Sequence, residues 1–309
     1  MKQFNNLTIK KSESDQRLDV FLASKLDLSR SQAQKQIKQG VVLVNDKVEN
    51  SHYKVQAGDK IKILSATKQE NKKTKSALPK FKTIAETDDY LVINKPSGVI
   101  VHGGEGITEA TLVDALEKKY SQIKKVGDDS RRPGIVHRLD KEASGLMIIA
   151  KNNKTFEHLK KQFQKRAVAK QYYALIYGTL DTEHDEINFP IARSAKGYKM
   201  SARPANQEGR QAVTEFEIEQ KFINYTLLDV KIKTGRTHQI RVHLSAYGHP
   251  IVGDNLYATK KTREQNKKLN LNRIFLHAYT LGFNDLQGEW QEFKIQLPSE
   301  LKLLLKKVK

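Results

Sequence analysis

The sequence predicts an α+β fold in two parts. One is a large domain with a mixed, mostly antiparallel sheet and flanking helices; the other is a small N-terminal α+β module. Three observations predict it. The segments TEFEIEQKF (214–222) and TLLDVKIKTG (226–235) alternate apolar and polar residues. Phe216 and Ile218 share one side of the first, and Leu228, Val230 and Ile232 run along the second, as half-buried strands require. A single helical stripe, Phe156, Leu159 and Phe163, marks a helix at about 153–166 and reads as core. The tract SATKQENKKTKSALPK (65–80) is polar, basic and nearly free of apolar side chains, which reads as a flexible linker. The boundaries that follow are 1–65 for the small module, 66–80 for the linker and 81–309 for the large domain.

The elements of the small module follow in order. RLDVFLASKL (17–26) places Leu18, Phe21 and Leu22 on one helical face. Ser29 is a fair N-cap for a second helix, Arg30 to Gln39, which Gly40 ends. VVLVNDKVE (41–49) gives two short strands with a turn at Asn45-Asp46, and Gly58-Asp59 turns the chain into Lys60-Ile-Lys-Ile-Leu64. The second helix carries Arg30, Lys35 and Lys38 on or near one exposed side.

Charge narrows the partner. Among 309 residues, 55 Lys+Arg oppose 35 Asp+Glu, a net charge of +20. A charge of that size argues for a polyanion, nucleic acid foremost. The chain has no cysteine, which excludes disulfides, thiolate–zinc sites and thiol catalysis. No apolar segment follows Met1-Lys-Gln-Phe-Asn, so no signal peptide is expected, and no uncharged run approaches a membrane span. The expectation is a soluble, cytoplasmic, monomeric protein with no membrane partner.

The large domain holds the chemistry. In HRLDKEASGL (137–146), Asp140 lies two residues after Arg138 and next to Lys141, and nearby positive charge favours an ionised, nucleophilic carboxylate. The apolar run Leu146-Met-Ile-Ile-Ala150 reads as a buried strand, which would fix Asp140 at the mouth of a rigid sheet. DDYLVINKPSGVIVHGG (88–104) reads as a strand, a Lys-Pro-Ser-Gly turn and a second short strand. Lys95 there either touches the anionic partner or folds back on the turn, and His102 sits in a glycine-rich loop. In AVAKQYYALIYG (167–178), Lys170, Tyr172 and Ala174 alternate along a strand and share a face, while Tyr173 faces the packing side. In KTGRTHQIRVHLSAYGHPIVGDNLY (233–257), Gly235 ends a strand, Thr237 is a fair N-cap and a short helix runs to Gly248. Arg236 and Arg241 are its basic candidates. His238, His243 and His249 lack a carboxylate or cysteine at ligand spacing, so no metal is expected there.

These segments carry a resemblance. HRLDKEASGL resembles the HRLDxxTSGL signature of RNA pseudouridine synthases that modify large-subunit ribosomal RNA. The segments at 88–104, 167–178 and 233–257 are similar to the same family. The RLDVFL opening, SRSQAQKQIKQGVVLVN and GDKI of the small module resemble the alpha-L RNA-binding motif of a small-subunit ribosomal protein and of tyrosyl-tRNA synthetases. The resemblance implies isomerisation of uridine to pseudouridine in ribosomal RNA without a cofactor. Asp140 is implied as the nucleophile, Tyr172 of KxYxA as the residue against the base, and a basic residue of the last motif as the partner of the aspartate. Arg241 is the choice for that partner, with Arg236 second. Arg138 is implied either to fill the gap left by a flipped nucleotide or to form a structural ion pair. His137, Lys170, Lys95, Arg236, Arg30, Lys35 and Lys38 complete the expected RNA contacts.

Two departures stand out. Ala143 occupies a position where the family usually has Thr, and Asn284-Asp285 follows IFLHAYTLGF where His-Pro is frequent. The stretch TKKTREQNKKLNLNR (259–273) reads as a basic insert. A catalytically silent RNA-binding ribosome-assembly factor is the alternative, and it would expect Asp140 or Tyr172 to be lost. A glycosidic hydrolase needs two carboxylates in reach, and Glu142, the local candidate, points away if the loop extends.

Overall fold

The computed structural model describes residues 6–26, 28, 30–64, 77–104, 107–194, 197, 199–204 and 206–308, the side chains of Ser31 and Lys35 aside. The chain divides into two compact units, Met1–Lys72 and Lys73–Lys309. Residues 66–76 of the expected linker, Ser29 and the side chain of Lys35 lie outside the described residues.

The first unit packs two helices on a small antiparallel sheet. Its elements are β1 (Asn6–Thr8), α1 (Leu18–Leu26), α2 (Arg30–Lys38), β2 (Val42–Val44), β3 (Lys47–Val48) and β4 (Lys60–Ile63), with strand order β1-β4-β2-β3. Leu18, Phe21 and Leu22 of α1 meet Ala33 and Ile37 of α2 over Val42, Val44 and Ile61. Asn45 and Asp46 both take positive φ (51° and 62°), the backbone a tight two-residue hairpin requires. Asp19 is fully buried in α1 and accepts hydrogen bonds from Arg17, Arg30 and Gln34. Burial opposes its charge, but those donors hold the carboxyl well below the usual range. Arg30, expected to meet RNA, is therefore tied at Nε to Asp19 while its side chain stays half-exposed. Lys38 is exposed.

The second unit is built on one large sheet. Its strands are β5 (Lys82–Glu86), β6 (Tyr90–Lys95), β7 (Ser144–Ala150), β8 (Ala169–Tyr177), β9 (His184–Ile187), β12 (Thr214–Lys221), β13 (Tyr225–Ile232), β14 (Leu276–Asn284) and β15 (Trp290–Lys294), while β10 (Ile191–Arg193) and β11 (Met200–Ala202) form a separate hairpin. The order is β5-β6-β7-β14-β8-β13-β12-β9, with β15 alongside β14. Among the described pairings in this sheet, β7 and β14 run parallel and the others antiparallel, so the sheet is mixed and mostly antiparallel. Every residue of β7 is buried: Met147 and Ile149 join one apolar cluster, Leu146, Ile148 and Ala150 another. A strand covered on both faces has no reason to alternate, which is why this run is continuously apolar. At Gly145 (φ 125°) a Cβ would stand 2.2 Å from the Ala278 carbonyl oxygen, so the close β7–β14 approach needs glycine.

Helix α4 (Asn153–Gln164) lies where the stripe predicts it, with Asn152 as N-cap. Three helices were not foreseen: α3 (Leu112–Lys119), α6 (Lys260–Leu269) and α7 (Ser299–Lys307). The stretch read as an insert is thus largely helical, capped by Thr259. Helix α5 (Gln239–Ala246) starts one residue later than expected, from His238 rather than Thr237. The short strand foreseen after the Lys-Pro-Ser-Gly turn does not form. That backbone instead supplies the Ile100 and Val101 carbonyls to the first turn of α3.

Candidate active site

Asp140 occupies the loop that leads into β7, and its side chain keeps 16% of its surface exposed. It lines a cavity of about 470 Å³ whose walls include His137, Arg138, Lys170, Tyr172, Arg236 and His238. The 137–146 motif, the 167–178 strand and the 233–257 segment therefore converge on one space.

The loop is held from behind by the Lys-Pro-Ser-Gly turn. Ser97 Oγ donates to the Glu142 carbonyl, and the Gly98 N–H donates to the Lys141 carbonyl at 2.7 Å. Lys95 Nζ donates to the carbonyls of Pro96 (2.9 Å), Val99 (2.9 Å) and Lys141 (3.3 Å). Lys95 is fully buried, which corrects its expected RNA contact: of the two readings open for it, folding back on the turn is the one that occurs. Burial, opposed by the charge of Asp140, pulls its ammonium down to about 7.

Arg241 holds the loop from the front. Its Nε and Nη2 form a fork on both oxygens of buried Asp254 (2.7 and 3.0 Å), and its Nη1 lies 3.4 Å from Asp140 Oδ2. The same Nη1 lies 3.4 Å from Glu142 Oε2, so Glu142 turns toward the arginine rather than away from it. Asp254 also accepts from the backbone N–H groups of Leu256 and Tyr257. A bidentate pair this well satisfied fixes the guanidinium in place. Arg236, the second choice, lines the cavity but spends its Nε on the Gln211 carbonyl.

The opposite wall is aromatic and cationic. The His137 ring stacks on Phe163 with centroids 4.7 Å apart, and Lys170 Nζ lies 5.3 Å from the Phe163 centroid. Phe163 is thus partly buried cavity wall, beyond the core role read from its stripe. Among the described residues Lys170 has no carboxylate partner, and burial pulls its pKa down to about 8. Tyr172 is 6% exposed. Burial and the charge of Asp140 push its phenol well above the usual value, so it keeps its proton. Tyr173 faces the other way and stacks on Tyr279 at 4.0 Å. Arg138 is exposed at the cavity, its Nη1 3.5 Å from His102 Nε2.

The three histidines of the last motif hydrogen-bond separately: His238 Nδ1 with Tyr257, His243 Nε2 with the Phe189 carbonyl and His249 Nδ1 with the Tyr177 carbonyl. Asp254 and Tyr257 are the site residues that sequence reasoning missed, and His238 was weighed there only as a metal ligand. A signal existed for the first, since an aspartate after glycine that accepts from the next N–H groups marks a turn. Nothing local announced its pairing with Arg241.

Two neutral histidines, one half-buried at the cavity and one fully buried, make stability acid-sensitive. His137 Nε2 accepts from the Ile148 N–H, and burial pulls its pKa down to about 3. His277 is fully buried, bonds Ser144 Oγ at 2.7 Å, and is pulled down to about 4. An unfolded histidine titrates near 6.5. Between there and the native values the unfolded chain binds more protons, so stability falls as pH falls, by at most about 1.4 kcal/mol per pH unit for each group. Melting temperatures are expected to change little from pH 7.5 to about 6.5 and to decline from there to 4.5, and a flat profile over the lower range would contradict the assignment.

With this geometry in view, residues 89–246 match the family model of RNA pseudouridylate synthases and residues 16–61 that of the S4 domain. The chain belongs to the RNA pseudouridylate synthase family, whose members are isomerases. An uncharacterized RNA pseudouridine synthase of Aquifex aeolicus is 39% identical, over 98% of this chain and 96% of that protein. Ribosomal large subunit pseudouridine synthase D of Vibrio cholerae is 36% identical, over 95% and 91% respectively. Human RNA Pseudouridylate Synthase Domain Containing 1 superposes with a TM-score of 0.59 at 25% identity, covering 72% of this chain and 86% of that one.

Proposed function

We propose that this protein converts particular uridines of ribosomal RNA, most specifically of the large subunit, into pseudouridine in the cavity beside Asp140. One observation carries the reading: a carboxylate clamped by Arg241 faces a space of about 470 Å³ whose wall and rim are cationic. A space that size suits a nucleoside-scale ligand. A uridine stacked in RNA is unreachable, so the nucleotide flips into the cavity at a cost of a few kcal/mol. Exposed Arg138 is suited to the gap left behind, and Lys170 to a backbone phosphate. Relatives named large-subunit synthases point to the RNA class.

In this reading Asp140 acts as the nucleophile at the base or the sugar, and the bond it forms is broken again before the product leaves. The bond from N1 to the ribose breaks, the base turns, and C5 bonds to the same sugar carbon. C5 then loses its hydrogen and N1 gains one, so no electron or group is exchanged. Tyr172, which keeps its phenolic proton, serves as a stacking wall and hydroxyl donor rather than as a phenolate base. The small N-terminal unit adds affinity through Arg30 and Lys38, and that affinity weakens with salt.

The direct test maps pseudouridines across total ribosomal RNA in cells with and without the protein, using carbodiimide adducts that stop reverse transcription. One or a few stops in large-subunit RNA are expected to vanish. An unchanged map in every ribosomal RNA would favour a silent assembly role instead.

A further inference from the structure

His238 stands out among residues not yet given a task. It is a non-glycine residue in the left-handed region (φ 55°, ψ 23°), at the junction between the Thr234–Thr237 turn and α5. Such strain persists where the surroundings over-determine it, and it concentrates at functional sites. Its Nδ1 lies 2.9 Å from the Tyr257 hydroxyl, which also accepts from the Met200 N–H at 3.0 Å. Burial pushes the Tyr257 phenol up to about 12, so that hydroxyl holds a proton. A phenolic oxygen can accept twice, but among the described residues its hydrogen has no acceptor other than His238 Nδ1, so the proton is assigned there. The ring proton then sits on Nε2. Burial, against the opposing pull of Asp140, keeps the imidazole below its ordinary value and hence neutral. Nε2 faces the cavity 4.0 Å from Asp140 Oδ1, too far for a hydrogen bond, and makes none with the described residues.

We infer that His238 is a catalytic residue: its Nε2–H, aimed by Tyr257 beside Asp140, donates a hydrogen bond to a carbonyl oxygen of the uracil while the base is detached from the ribose. This rests on reading the cavity as the uridine site. When the N1–ribose bond breaks, its electron pair leaves with the base and the charge spreads onto the carbonyl oxygens. A fixed neutral donor stabilises that charge and keeps its own proton. The electron pair returns when C5 bonds to the sugar, and the hydrogen bond relaxes. A donor on the developing charge acts on the rate, not on RNA affinity.

The test measures tritium release under single-turnover conditions. The substrate is large-subunit ribosomal RNA from cells lacking the protein, labelled at uridine C5, and the full chain is used as wild type, H238A, H238N, H238Q, Y257F and D140N. H238A is expected to lower the rate about 10²- to 10³-fold with RNA affinity within about threefold. H238Q, which restores an N–H near the Nε2 position, recovers part of that rate. Y257F, which frees the tautomer while leaving the imidazole in place, slows the reaction several-fold. If H238A fails to fold, H238N, suited to the left-handed backbone, and Y257F carry the same decision. A wild-type rate in H238A or Y257F, a rate loss matched by affinity loss, or an H238Q no faster than H238A would each overturn the proposal. An active D140N would instead overturn the reading of the cavity itself. An inactive D140N beside a fully active H238A would remove the role of His238 alone.

Discussion

Asp140→Asn is expected to lower turnover by about 10⁴-fold or more while RNA affinity stays within about threefold. The substitution keeps the shape of the side chain and removes its charge. Arg241 does not become an orphan, because the Asp254 fork and Glu142 remain beside it. The loop also keeps its rear supports from Lys95, Ser97 and Gly98. Affinity for a polyanion has no reason to fall when a negative charge is lost. Single-turnover tritium release and filter binding, read side by side, separate the two effects. Parallel loss of binding and turnover would count against Asp140 as the nucleophile.

Asp254→Ala is expected to produce the largest loss of stability, about 3–5 kcal/mol, because it leaves a buried guanidinium without its main partner. Arg241 is only 3% exposed, and the carboxylate also satisfies the N–H groups of Leu256 and Tyr257. The freed arginine retains Asp140 and Glu142 at the longer distance of 3.4 Å, so turnover falls as well. Adding Arg241→Met removes the unpaired charge. The double variant is therefore expected to melt above the value that summing the two single losses gives, since residues in contact do not add. Urea denaturation of the four proteins closes the cycle. Strict additivity would show that the pair carries no coupling.

The parts of this architecture that were legible in the sequence are those written in local periodicity. Strands β12 and β13 alternate, α4 carries its stripe, and the first unit puts its turn residues between short apolar runs. Helices α3 and α6 escaped for different reasons. LVDALEKK is short and sits behind a glycine-rich loop, though Thr111 and Asp114 form the reciprocal cap that would have announced it. KKTREQNKKL buries little besides Thr262 and Asn266, so it has no apolar stripe to read. At the site, the motifs bring Asp140 and Tyr172 to one cavity and Arg241 against Asp140. What stayed hidden depends on long-range geometry. The Arg241–Asp254 fork, the inward turn of Glu142 and the burial of Lys95 each join residues whose neighbourhood only the folded sheet creates.

The parallel pairing of β7 with β14 also has a temporal consequence. Ser144 and His277, bonded at the start of that pairing, are 133 positions apart in the chain. A nascent polypeptide leaving the ribosome therefore carries its aspartate long before the strand that flanks it exists. Closing so wide a span is slow compared with local helix formation. Competence for RNA chemistry would thus appear late and all at once during synthesis, and a chain halted before residue 276 would display the motif without the activity.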